Sequence, residues 1–297
     1  MSAATNRANT DPATDVNAAT PARRSVARRL ARSGSFRFGI TVLVAVGIVA
    51  IFAPALTPHD PMRMNYGAIL NPPSERHWFG TDEFGRDVLS RVIVGSRVSL
   101  QVGLTVTLVT LLGGLVVGVS AGFYRRVDNV LMRVMDMLMA FPDVLLAIAV
   151  MAILGPRIEN VVIALSVIYV PRSARVVRSA VLNLRDLEYV EAGRALGARD
   201  LALVVRHVVP NAMPHLIVQQ TFVFAYSILA EATLSFLGIG APAGVPSWGN
   251  ILSDGRSLLQ VAPWLILFPG AVLTLVVMGI NLMGDGLRDV LDPRMRL

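Results

Sequence analysis

Residues 98–124, VSLQVGLTVTLVTLLGGLVVGVSAGFY, form the longest run in the middle of the chain that contains no charged residue. A helix of this length is about 40 Å long, which exceeds the roughly 30 Å thickness of the hydrocarbon core of a bilayer. So long an uncharged segment is typical of a transmembrane helix that tilts or projects beyond the lipid. The sequence therefore predicts a membrane protein.

The composition of the whole chain supports this prediction. Hydrophobic residues make up 54% of the 297 residues, charged residues make up 16%, and the mean hydropathy is +0.60. A soluble domain has about 25% charged residues. Much of the apolar surface must therefore face lipid.

Two residue types are absent from the sequence, which contains neither Lys nor Cys. A P-loop ATPase needs a lysine beside the phosphates, and thiolate metal sites and disulfides need cysteine. The absence of lysine therefore excludes ATP hydrolysis by a P-loop within this chain.

Six apolar segments predict an all-α polytopic membrane protein, with the fourth interrupted by Pro171. A signal peptide is the alternative for the first segment, because Ala53-Pro54-Ala55 fits a cleavage site. Residues 1–35 are rich in small and polar side chains, which predicts a disordered tail. The transmembrane domain then covers 36–297, with spans at 38–56, 98–124, 130–154, 160–177, 212–237 and 261–284.

The arginines predict the topology, because cytoplasmic flanks carry an excess of basic residues. Placing the N-terminal tail inside puts 20 of the 27 arginines on the inner side. Both termini are then expected in the cytoplasm. The net charge of +7 is expected for a chain whose arginines lie beside the anionic lipids of the inner leaflet. Nucleic-acid binding is a weaker alternative, because the arginines are distributed over four separate segments that flank the spans.

The long inner loop, 185–210, has the composition of two short helices joined by a glycine turn. Gly197 suits the left-handed conformation that ends a helix, and Asp200 suits a cap of the second. Pro210 is expected to separate this unit from the fifth span. Spacing alone leaves two interpretations open, a docking element for another protein or an amphipathic helix lying on lipid.

The order Glu191-Ala192-Gly193, then Gly197 and Pro210, resembles the EAA loop of ABC-importer permeases. Gly193 replaces the second alanine of that pattern, and His207 and Val209 replace its Ile and Leu. The resemblance implies a coupling helix that inserts into an ATPase subunit. The residues it assigns to coupling are Glu188, Glu191, Ala192, Arg194, Gly197, Arg199, Asp200 and Pro210.

Further motifs resemble the C-type permeases of dipeptide, oligopeptide and nickel importers. They include FGTDEFGRD at 79–87, SWGNILSDGR at 247–256 and NLMGDGLRDVLDPR at 281–294. The resemblance implies a MetI-like, type I importer fold with a cytoplasmic coupling helix-turn-helix. The implied function is the import of short peptides by alternating access, with a nickel or nickel-chelate importer as the alternative. The resemblance also implies that the chain is a transport subunit and not an enzyme, and that it lies in the inner membrane of a bacterium.

The same resemblance implies the partners. These are a second, B-type permease, two P-loop ATPases that bind the ATP and Mg²⁺, an extracytoplasmic binding protein and the bilayer. The chain itself is expected to bind no cofactor.

Three acidic residues fall inside or beside predicted spans, where an unpaired carboxylate is costly. Asp136 is expected near the cytoplasmic end, paired with Arg133. Asp143 and Glu231 are candidates for the translocation pathway, with buried structural pairs as the alternative. An ion-coupled secondary transporter would use the same two residues as cation sites.

Gly114, Gly118 and Gly122 recur every fourth residue and predict a close helix contact, within this chain or with another. Gly118-Val-Ser120-Ala-Gly122 also fits a hydrolase nucleophile elbow, but an uncharged helix is the wrong setting. The histidines lie at 59, 77, 207 and 215 without metal-site spacing. We therefore expect no fixed metal site.

Overall fold

A computed structural model describes residues 26–242 and 244–291, and these residues form α-helices joined by loops and short 3₁₀ and π turns. The predicted all-α membrane fold is confirmed. The helices are α1 (Val26–Leu30), α2 (Gly34–Ile51), α3 (Ala53–Leu56), α4 (Val88–Phe123), α5 (Arg125–Met139), α6 (Asp143–Leu154), α7 (Ile158–Arg185), α8 (Glu188–Ala195), α9 (Asp200–Leu203), α10 (Val209–Phe236), α11 (Trp248–Gly255) and α12 (Trp264–Leu291).

The helices that contact one another most are α4 and α7, followed by α12 with α2 and α10 with α4. Helix α10 also packs against α7 and α12, so it lies at the centre of the bundle. Half of the residues of α2 are exposed and only Gly39 and Ala50 are buried, although the helix is largely apolar, which is typical of a lipid-facing position.

Five described helices are long and apolar enough to cross a membrane, and the fourth of them is the rod Asp200–Phe236 that includes α10. The pair α5 and α6 makes a sixth if it counts as one span. The two helices of the pair meet at 92°, so the segment predicted as a span at 130–154 contains a sharp bend. Pro142 restricts the residue before it to extended backbone, and Asp143 opens a new helix directly after the proline.

Helix α4 begins ten residues before the predicted span at 98–124. Asp87 caps it, because a carboxylate oxygen of Asp87 accepts from the backbone N–H of Ser90 at 2.8 Å. Arg91 lies outside the predicted spans, and in the structure it belongs to α4, is buried and lies 2.6 Å from Asp82. Pairing with acids makes the burial of its charge tolerable.

Both prolines that are expected from sequence to interrupt helices lie inside continuous ones. Pro171 is buried within α7, which extends to Arg185 rather than ending at 177. Pro210 does not separate the inner loop from the fifth span, since Asp200–Phe236 is one helical rod. A π turn at Val204–Val208 precedes Pro210, and its wider backbone accommodates a residue that lacks an N–H.

The N-terminal boundary also differs from the prediction. The sequence predicts a disordered tail that includes 26–35, but the structure places α1 and the start of α2 there. The Ser33 hydroxyl caps α2 by accepting from the N–H of Phe36 at 3.3 Å. The rest of the predicted tail, 1–25, lies outside the described residues.

Candidate functional site

Helices α8 and α9 form the predicted helix-turn-helix within residues 185–210, which we call the coupling loop. Gly197 has φ of +81°, a conformation that favours glycine. The N–H of Gly197 donates to Arg194 O at 2.9 Å, and the N–H of Ala198 donates to Gly193 O at 3.0 Å. This pair of bonds is a Schellman motif, so α8 ends in a fixed geometry.

Gly193 is the position at which the chain departs from the EAA pattern, and the structure gives a reason. A Cβ on Gly193 would lie 2.7 Å from the Cδ2 of Leu203. Leu203 is buried and comes from α9. The glycine therefore lets the two short helices of the coupling loop approach closely.

The coupling loop exposes apolar side chains that have no partner among the residues that the structure describes. Leu196 is 89% exposed, Leu201 70% and Val205 60%. Exposed apolar residues that cluster in this way mark an interaction surface. The eight residues predicted for coupling are also all exposed, at Glu188, Glu191, Ala192, Arg194, Gly197, Arg199, Asp200 and Pro210.

Buried residues join the coupling loop to the bundle. Val204 and Val208 of the π turn pack in one apolar cluster with side chains of α4 and α7, among them Val119, Phe123 and Val181. Arg185 adds a polar contact, because its Nη1 donates to the carbonyl of Gly122 at 2.8 Å. A displacement of the coupling loop must therefore move the adjoining ends of α4, α7 and α10.

The Gly114, Gly118 and Gly122 ridge faces α7 of the same chain. A Cβ on Gly118 would lie 2.6 Å from the carbonyl oxygen of Ala174, and one on Gly114 would lie 2.4 Å from the Cβ of Ser173. Backbone and side chain thus occupy the space that any larger residue would need. The structure places these glycines at the largest helix contact of the fold.

Three ion pairs connect α5 and α6 to successive turns of α7. Asp128 pairs with Arg178, Asp136 with Arg175, and Asp143 with Arg172 at 2.7 Å. The expected pairing of Asp136 with Arg133 is therefore wrong. The bend at Pro142 and the approach of α7 bring together acids and arginines that lie far apart in the sequence.

Asp143 lies at the edge of an open apolar cleft of about 150 Å³ between α6, α7 and α10. Tyr169, Tyr226 and Leu229 line this cleft, and the Arg172 guanidinium lies 5.7 Å from the centre of the Tyr169 ring. Asp143 and Arg172 both remain more than one third exposed. The candidate pathway residue thus lies on a surface of this chain, beside aromatic and apolar groups.

Glu231, the other candidate, lies elsewhere and is fully buried. Its carboxylate accepts from the Ser99 hydroxyl at 3.0 Å and from the Ser235 hydroxyl at 2.8 Å. Ser99 also lies 3.4 Å from the backbone nitrogen of Trp248. Glu231 therefore joins α10 to α4 and α11 and faces no surface of the chain in this conformation.

We expect Glu231→Ala to destabilise the bundle by about 2–4 kcal/mol, because it leaves a cavity and removes the acceptor of two buried hydroxyls. Glu231→Gln keeps the size and one carbonyl acceptor and should unfold near the wild-type temperature. The thermal midpoint of each variant in detergent checks this. Equal midpoints for Glu231→Ala and wild type would contradict the inference that the buried hydrogen bonds of Glu231 stabilise the contact between α10, α4 and α11.

The structure also gathers a group of side chains that their spacing in the sequence does not connect. His59, His77 and Asp87 place ligand-type atoms within 4.8 Å of one another. No local spacing rule indicates this cluster, because a loop with several turns brings the residues together. The expectation that no fixed metal site exists rests on spacing alone.

Comparison with known proteins gives the family. Residues 114–297 match the family model for the binding-protein-dependent transport system inner membrane component. The chain belongs to this family. Residues 22–73 match a second model, the N-terminal TM domain of oligopeptide transport permease C. The prediction of an ABC-importer permease of the C type is thus confirmed, and the chain is a transport subunit that depends on separate ATPases.

Several relatives are similar to this permease over most of their length. A dipeptide transport system permease protein from Alkalihalophilus pseudofirmus is 43% identical and matches 97% of this chain and 95% of its own. A peptide transport system permease protein from Brucella abortus is 51% identical, with 91% and 92% covered. An oligopeptide transport system permease protein from Bacillus subtilis is 40% identical, with 87% and 85% covered.

A solved structure supports the fold of this permease. The inward-facing MetNI methionine ABC transporter aligns with a TM-score of 0.57 over 68% of this chain and 97% of the matched chain. The identity is 20%, so the likeness concerns the fold alone. The predicted MetI-like fold is confirmed.

Proposed function

We propose that this permease is one of two transmembrane subunits of an ATP-driven importer that moves short peptides into the cytoplasm. The main support is the coupling loop, whose exposed apolar side chains have no partner in the described part of the chain and whose buried side chains pack against the bundle. The peptide substrate rests on the relatives, whose names describe peptide, dipeptide and oligopeptide transport.

The coupling loop supplies the contact with the ATPase. Leu196, Leu201 and Val205 lie on its exposed side, where a groove in a partner would cover them. Two P-loop ATPases bind ATP and Mg²⁺ and close on each other. Because the coupling loop continues into α10 as one rod, that closure tilts α10 and switches the pathway between its two sides.

A second permease completes the pathway. The cleft beside Asp143 is open on one side, and Tyr226 and Leu229 of α10 remain more than 40% exposed next to it. One bundle leaves this surface uncovered, so we propose that a B-type permease faces it. Substrate passing between the two chains would then meet Asp143 and Arg172.

The proposed orientation places both termini and the coupling loop in the cytoplasm of a bacterium, with the permease in the inner membrane. The arginine distribution supports it, since 20 of 27 arginines then lie on the inner side. The segment 57–87 and helix α11 then face outward, where a binding protein delivers the peptide.

Reconstitution tests the proposal. The permease, its B-type partner, both ATPases and the binding protein are assembled in proteoliposomes with ATP inside or outside. We expect uptake of a labelled dipeptide or short oligopeptide only when ATP reaches the ATPases. Uptake of nickel instead of peptide would identify the alternative substrate, and gradient-driven uptake by the permease alone would overturn the importer proposal.

We expect Asp143→Asn to lower peptide uptake several-fold without lowering assembly. Both side chains of the Asp143–Arg172 pair are more than one third exposed, so its loss costs the fold about 1 kcal/mol or less. Asp136→Asn is the matched control, because it breaks a neighbouring pair farther from the cleft. Unchanged uptake with Asp143→Asn would remove this residue from the pathway.

A further inference from the structure

The cluster of His59, His77 and Asp87 lies at the end of the bundle opposite the coupling loop. His77 Nδ1 lies 2.9 Å from Asp87 Oδ1, and His59 Nδ1 lies 3.8 Å from the same oxygen. The two imidazole rings are 4.7 Å apart between centroids. His77 and Asp87 are buried, whereas His59 is partly exposed.

These distances suit ligands around one small cation. Ligands at about 2.0–2.2 Å from a tetrahedral Zn²⁺ lie roughly 3.3–3.6 Å from each other. The separations of 2.9 and 3.8 Å fall on either side of that range, so small side-chain rotations would place the three atoms correctly. The ligand atoms of the two histidines lie within 4.8 Å of each other as well.

Two further observations distinguish this cluster from an ordinary hydrogen-bonded group. The Nδ1 atom of His59 is buried and has no hydrogen-bond partner among the described residues. The Oδ2 atom of Asp87 accepts from the N–H and the hydroxyl of Ser90, whereas Oδ1 faces both histidines and is hydrogen-bonded to His77 Nδ1 at 2.9 Å. A carboxylate that is fixed through one oxygen and presents the other to two imidazoles matches the outer-shell support that metal ligands receive.

We propose that His59, His77 and Asp87 bind one divalent transition-metal ion of the Zn²⁺ class. Two imidazoles and one carboxylate favour Zn²⁺, Ni²⁺ or Cu²⁺ over Mg²⁺ and Ca²⁺, which prefer oxygen ligands. Three protein ligands leave a fourth position open. All three residues line one cleft of about 420 Å³, and Arg63 and Arg76 line it too, so water or an anionic group suits that position.

The ion would fasten the segment that precedes α4 to the start of that helix. His59 and His77 belong to the segment, and Asp87 is the cap of α4. A ligand that binds only the folded state stabilises it by mass action. The metal site would thus hold the outer segment in place, apart from the transport step itself.

The test uses the full chain purified in detergent, stripped with a chelator and titrated with Zn²⁺ against a chromogenic competitor. We expect one tight Zn²⁺ per chain and a rise in the thermal midpoint on binding. Co²⁺ in place of Zn²⁺ should give the visible absorption of a tetrahedral site. His59→Gln and His77→Gln should each weaken binding by about tenfold or more.

His207→Gln and His215→Gln are the matched controls, because both histidines lie away from the cluster and should leave binding unchanged. Asp87→Asn keeps an oxygen to cap α4 but weakens the ligand, so it should lose affinity while the metal-free midpoint holds. Zn²⁺ binding that is absent, or equal in wild type and the His59→Gln/His77→Gln double variant, would overturn the proposal. Because no transport is measured, its failure is distinct from failure of the importer function.

Discussion

Leu196→Asp is expected to abolish peptide uptake and to release the ATPase subunits while the membrane bundle stays folded. Leu196 is 89% exposed, so the fold gains little from its side chain. In the complex, an ATPase groove would cover it, and a buried unpaired charge there is unfavourable. A loss of about 2–4 kcal/mol of binding free energy weakens the contact about 30- to 1000-fold. Co-purification of the ATPase and ATP-driven uptake measure the effect.

Leu196→Met is the control for this variant, because it keeps an apolar side chain of similar volume and should retain both binding and uptake. The thermal midpoint of the isolated Leu196→Asp chain should equal that of the wild type. If Leu196→Asp still binds the ATPase and transports, the apolar side of the coupling loop is not the contact.

Gly118→Leu is expected to prevent α4 and α7 from packing. The new Cβ would lie 2.6 Å from the carbonyl oxygen of Ala174, a backbone atom that cannot rotate away. The two helices must then separate along the largest contact of the fold. We expect a destabilisation of about 3 kcal/mol, seen as a lower thermal midpoint and a lower yield of folded protein.

Gly47→Leu is the matched control, since Gly47 also lies in an apolar helix but has no neighbouring atom within 4 Å of the position that a Cβ would take. This substitution should leave the thermal midpoint unchanged. Equal midpoints for Gly118→Leu and Gly47→Leu would show that the close contact with α7 does not limit stability.

The sequence predicts the membrane class and most spans, because uncharged runs identify helices that cross a bilayer without knowledge of their neighbours. Hydropathy predicts the helix boundaries less well where a charged residue or a proline lies close to an apolar run. The predicted span at 98–124 stops short of Arg91, although α4 includes this arginine because Asp82, which precedes the helix, neutralises its charge. The predicted span at 130–154 follows the apolar residues and misses the bend that Pro142 introduces between α5 and α6.

The candidate sites also differ in how far the sequence predicts them. The coupling loop could be predicted because Gly197 and the residues before it form a local motif whose conformation depends on neighbours in the sequence. The partners of Asp136 and Asp143 could not, because α7 supplies them from 39 and 29 residues away. His59, His77 and Asp87 meet for the same reason, through the path of a loop rather than through spacing.

The helical rod from Asp200 to Phe236 has 37 residues and a length of about 55 Å at 1.5 Å per residue. If it moves as one body, a tilt of about 10° around its middle displaces each end by roughly 5 Å. In the proposed mechanism, a displacement of the coupling loop at one membrane face is thus matched by one of similar size at the other face.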